Sequence, residues 1–94
     1  MAIEVYTLRD PRLYYVLLDP DNGLVAEDSD WNLIQGTIED HVLSPERLKV
    51  VIYRRTPPET IDDDYQFDRL AFYRASEMLD MVYGRGAARI QSES

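Results

Sequence analysis

Carboxylates dominate the chemistry open to this sequence. Residues 18–31 read LDPDNGLVAEDSDW, with five carboxylates and no cation; residues 13–46 hold eight Asp and Glu and no Lys or Arg. Such a run could coordinate a hard cation, supply a paired acid and base, or meet a basic surface. A calcium loop needs Gly at its sixth position and a bidentate Glu at its twelfth. Counted from Asp19, Gly23 is fifth and Asp30 twelfth, so DPDNG reads as a hairpin turn. Asp62, Asp63 and Asp64 stand in a row, and adjacent carboxylates do not converge on one ion. No metal site and no cofactor is expected.

Catalysis has little to draw on. His41 is the sole histidine and there is no cysteine, so thiolate chemistry and disulfides are excluded. No serine stands in a nucleophile elbow, and the GRG at 84–86 lacks a phosphate-loop pattern. His41 could serve as a general base, yet no neighbouring pattern recruits it. The chain is expected not to be an enzyme.

The cations Arg47, Lys49, Arg54 and Arg55 lie beside thirteen carboxylates in the flanking segments, a poor electrostatic platform for nucleic acid. Tyr6, Tyr14, Tyr15 and Tyr53 fall on expected strands, where aromatic rings can stack on single-stranded RNA. The consensus for such a sheet is missing, so they read as core or interface tyrosines, and no direct nucleic-acid contact is expected. The formal net charge of −8 favours solubility and cationic partners.

The elements that must position these groups follow from periodicity. Residues 2–8 alternate as a half-buried strand. LYYVLLD (13–19) is apolar on both faces and reads as a central strand, joined through DPDNG to LVAE (24–27) in a hairpin. Residues 28–44 read as a helix capped by Ser29, with Trp31, Ile34, Ile38 and Val42 on one stripe; a rival reading starts a shorter helix at Thr37. Gly36 costs that helix about 1 kcal/mol relative to Ala. RLKVVIYRR (47–55) is the clearest strand. Residues 62–83 read as the longest helix, with Gly84 as its C-terminal cap. The order β-β-β-α-β-α implies an α+β fold: a small, mainly antiparallel sheet of about four strands with two helices on one face. Residues 1–86 are expected to form one compact domain and residues 87–94 a flexible tail. No apolar run reaches the ~18–20 residues of a membrane span, and no signal peptide is visible, so the cytoplasm of the producing or host cell is expected.

The wide apolar arc of the 62–83 helix, with Phe72, Tyr73 and Met81, suggests an interface and a possible homodimer. Arg74 falls inside that arc, either extending to water or partly buried and paired.

Two functional readings result. In the first, the chain is a small, acidic, non-enzymatic protein-binding domain. Asp19, Asp21, Glu27, Asp28 and Asp30, with Trp31, Glu39 and Asp40, would meet a basic surface on another protein, one that itself binds nucleic acid. In size, acidity and lack of catalytic motifs the chain resembles phage-encoded inhibitors of host defence, such as anti-CRISPR proteins and nucleic-acid mimics. It is similar in the same respects to bacterial toxin-immunity proteins. That resemblance is one of character; no motif carries it and it assigns no residue. In the second reading the chain is a structural or regulatory adaptor that binds through the aromatic face of the C-terminal helix.

Overall fold

The most apolar run of the sequence lies in the middle of a sheet. In the computed structural model, which describes residues 5–83 and 89–91, strand β2 (Leu13–Leu18) is flanked by β3 (Leu24–Asp28) and β4 (Lys49–Thr56). Strand β5 (Gln66–Arg74) closes a four-stranded, fully antiparallel sheet of order β3-β2-β4-β5. Helices α1 (Trp31–Asp40) and α2 (Ala75–Tyr83) pack on one face of this sheet. The expected α+β class, the central position of residues 13–19 and the hairpin to residues 24–27 are all observed.

Alternation sets the two faces. Leu13, Tyr15 and Leu17 of β2 and Val50 and Ile52 of β4 point to the helices and are fully buried. Trp31, Ile34 and Ile38 of α1 and Ala75 and Met78 of α2 complete the core from the other side. The Tyr15 and Trp31 rings meet at 5.4 Å, and the Tyr15 hydroxyl donates to the Leu8 carbonyl. That bond matters, because an unpaired hydroxyl at this depth costs about 1–3 kcal/mol.

Residues 62–83 are not one helix. Residues 66–74 are strand β5, and only residues 75–83 are helical. The cause is a bulge: pairing shifts between Ile52↔Ala71 and Tyr53↔Arg69, leaving Leu70 as the extra residue. Leu70 and Ala71 are both buried, so the period of two breaks mid-strand. Apolar residues then recur at three- and four-residue intervals, which imitates a helix. The strand wins because β4 would otherwise expose an unpaired edge of backbone amides and carbonyls.

The fourth strand of the sheet is therefore β5 and not the N-terminal segment. Strand β1 (Val5–Thr7) pairs antiparallel with β6 (Arg89–Gln91) in a separate two-stranded ladder. Residues 89–91, expected in the tail, are thus in a strand; the proposed cap Gly84 and the remainder of the tail lie outside the described residues. Helix α1 is shorter than its sequence reading and starts at neither Ser29 nor Thr37, because Asp30 provides the cap. Val42, placed on its buried stripe by periodicity, lies past the helix end and is fully solvated. Among the described residues no helix is long and apolar enough to cross a membrane.

Candidate protein-binding surface

The acidic residues fall into two groups at opposite ends of the β2–β3 hairpin. Four residue steps separate Leu24 from Asp28, about 14 Å along an extended strand. Asp19 and Asp21 belong to the turn end, and Glu27, Asp28 and Asp30 to the far end. Helix α1 starts at the far end, and the chain re-enters the sheet at Lys49, opposite Leu18. The helix therefore runs back along the hairpin and carries Glu39 and Asp40 toward the turn end. A separation beyond the ~8 Å Debye length at physiological salt makes these two charged sites rather than one.

Several of the carboxylates hold local structure. The Asp19 Oδ1 accepts N–H bonds from Asp21 and Gly23, both at 2.8 Å. Asn22 takes a left-handed φ of 66°, and a Cβ on Gly23 would meet Asp19 Oδ2 at 2.7 Å, so DPDNG is fitted to this turn. The Asp28 Oδ1 accepts from the Asp30 amide at 2.8 Å, and Asp30 caps α1 by accepting from the Asn32 amide at 2.9 Å. Glu39 accepts from Gln35 at 3.2 Å and from the Tyr83 hydroxyl at 2.9 Å. Donation to this carboxylate raises the Tyr83 pKa above its ordinary value.

Of the carboxylates expected at this surface, Asp21, Glu27, Asp30, Glu39 and Asp40 are exposed. Among the described residues none of them forms an ion pair; the pairs Asp10–Arg12 (2.7 Å) and Arg54–Asp68 (3.3 Å) lie elsewhere. Glu27 points to the opposite face of the sheet from α1, beside Tyr14. The Tyr14 pKa is raised, first by desolvation and then by the Glu27 charge.

Trp31 does not belong to an exposed acidic surface. It is 2% exposed, packed on Tyr15, with Nε1 donating to Gln35 at 3.0 Å. Its placement at the first turn of α1, one residue after the cap, turns it inward with Ile34 and Ile38. The alternative aromatic interface does not assemble either. Phe72 and Tyr73 are consecutive in a strand and point to opposite sides of the sheet, while Met81 lies on α2 against the core. Arg74 extends to solvent and donates to the Glu46 carbonyl at 3.3 Å.

Between its acidic ends, the outward side of α1 bears a shallow groove of about 470 Å3, lined by Asn32, Leu33, Gly36, Thr37, Asp40 and His41. Leu33 is 57% exposed, and a Cβ added to Gly36 would have nothing within 4 Å. His41 ends the helix: its amide donates to the Ile38 carbonyl, and its Nδ1 accepts from the Leu43 amide at 3.0 Å. Among the described residues no group of three or more His, Asp or Glu is arranged to hold a metal ion.

Sequence reasoning missed Leu33 and Gly36 as surface features. Their signal was present, since Gly36 was the one costly residue in an otherwise regular helix. No family model, curated protein or solved structure matches the chain.

Proposed function

We propose that this chain is a non-enzymatic protein-binding domain whose contact surface for a basic partner is the outward side of α1. One observation carries this reading: an open groove over Gly36 flanked by carboxylates that have no cationic partner. A mid-helix glycine costs about 1 kcal/mol, and no neighbouring atom of this molecule requires it. A partner backbone approaching closely supplies a reason for it. Leu33 gives the groove an apolar centre and Asp40 an acidic edge, with Asp30 at the start of the helix beyond the other end, an arrangement that recognises an Arg- or Lys-rich surface with some specificity. Carboxylates can stand where phosphates otherwise bind Arg and Lys. The fitting partner is therefore a protein surface that ordinarily holds nucleic acid. The domain would block that surface by occupying it, in the manner of an anti-CRISPR-like, nucleic-acid-mimic or toxin-immunity inhibitor.

The test starts with capture of partners from a host or source-cell lysate at low and high salt, followed by affinity measurements on the captured protein. Asp21→Lys and Asp40→Lys are clean probes, because neither carboxylate holds local structure. Asp30→Asn removes a charge while keeping the cap. The proposal expects a basic partner, affinity that falls with salt, and a loss of about tenfold or more in the triple variant, corresponding to about 1.4 kcal/mol. Affinity indifferent to both salt and the triple substitution would overturn it.

A further inference from the structure

The second face of the sheet carries no helix. Register places Leu24 of β3, Tyr14, Val16 and Leu18 of β2, Val51 and Tyr53 of β4, and Phe67 and Phe72 of β5 on it. The buried residues of both helices pack on the other face. Leu24 is 60% exposed, Phe72 58% and Phe67 47%. Tyr14, Tyr53 and Phe67 form a ring cluster, with Phe67 at 5.2 Å from Tyr14 and 6.5 Å from Tyr53.

The same register gathers cations there. Lys49, Arg55, Arg69 and Arg74 all alternate onto this face, where Glu27 is the one carboxylate of the four strands. Among the described residues none of the four forms an ion pair, although the chain has 18 Asp and Glu for 10 Lys and Arg. Their side chains meet neutral partners, although the Arg74 amide donates to the Glu77 carboxylate at 3.3 Å. Lys49 donates to Asn22 at 2.9 Å, Arg74 to the Glu46 carbonyl at 3.3 Å, and Arg69 and Arg55 lie over the rings of Phe72 and Tyr65. A cleft of about 300 Å3 beside Phe72 brings Lys49, Arg74 and Arg47 together, with Glu46 also in its lining.

We propose that this uncovered face binds single-stranded nucleic acid. Bases stack on Phe72 and on the Tyr14–Tyr53–Phe67 cluster, and phosphates meet Lys49, Arg69 and Arg74. Charge complementarity selects this occupant. A second copy placed face to face would set four cations against four, whereas a polyanion neutralises them. Exposed rings select unstacked bases over a duplex, whose bases are stacked away. The cations and carboxylates that adjoin in sequence are separated by the register. The helix layer stands about 10 Å behind the sheet, so physiological salt screens much of its repulsion. This inference stands apart from the α1 reading, since it uses the opposite face.

The experiment measures fluorescence anisotropy of a labelled 12-nucleotide oligouridylate, and of a duplex of equal length, with the intact protein. Saturable binding to the single strand is expected, stronger than to the duplex. Neutralising three to four phosphates predicts that affinity falls about 20–50-fold between ~50 and ~200 mM salt. Phe72→Ala should weaken binding at least about fivefold, the low end for one stacked base. Arg69→Gln, a second exposed site, should weaken it and flatten the salt slope by about 0.7. Leu33→Ala, on the far side of the molecule, should leave it unchanged. No saturable binding, equal affinity for the duplex, or a dimer in sedimentation that Phe72→Ala splits would each overturn the proposal.

Discussion

One sheet presents two unlike faces. Toward the helices, Leu13, Tyr15, Leu17, Val50 and Ile52 are sealed, and the layer outside them is acidic, with no cation in α1 or α2. On the other side, Phe67 and Phe72 are exposed and Tyr14 and Tyr53 half-buried among four cations. Neighbouring residues of similar type, Tyr14 and Tyr15 or Phe72 and Tyr73, thus serve opposite ends. The difference teaches that net charge describes this protein poorly. A total of −8 conceals four cations that the register gathers on one face of the sheet.

The sharpest way to break that comparison is to truncate one large aromatic on each side. Trp31→Ala should cost about 3–5 kcal/mol in urea unfolding, as buried aromatics do. Phe72→Ala should cost well under half of that, because its ring is 58% exposed. Equal losses would mean that the sheet face is covered. Next in size are the caps: Asp30→Ala should destabilise by about 1 kcal/mol while Asp30→Asn does little. Asp40→Asn, which removes a charge from the same helix without touching a cap, should lie within ~0.5 kcal/mol of the parent. Gly36→Ala should stabilise by up to about 1 kcal/mol, since the added methyl meets open space. The same variant should weaken the basic partner, separating fold from binding.

The smallest contrast is in tyrosine titration. Burial drives the Tyr15 pKa far above the ordinary 10.0, and desolvation with the Glu27 charge raises Tyr14 by less. A raised folded-state pKa contributes stability that is intact below pH ~10 and is lost as pH climbs toward the folded value. Absorbance titration should show Tyr14 ionising in the folded protein and Tyr15 ionising only as the chain opens. Tyr14→Phe should remove a step that precedes the Tyr15 transition, and Tyr15→Phe the late one.

The class of the fold was legible because its strongest signals are local. LYYVLL is apolar on both faces and could only be central, DPDNG could only reverse the chain, and Ile34 and Ile38 marked the buried stripe of α1. Strand β5 was hidden by its bulge at Leu70, which converts an alternating pattern into a helical one. Carboxylates were legible as charge but not as position. Asp19, Asp28 and Asp30 look like patch residues in a row of letters, yet each accepts a backbone amide. The bare sheet face was not legible at all, because its cations, Lys49, Arg55, Arg69 and Arg74, are brought together by the β4–β5 register.

The most direct test of the two-faced charge map uses paramagnetic relaxation with paired probes, one anionic and one cationic, on assigned NMR signals. The anionic probe should relax Phe67, Phe72 and Val51 more strongly than residues of α1, and the cationic probe should reverse that order. A cationic probe that dominates evenly over both faces would contradict the segregation on which this account rests.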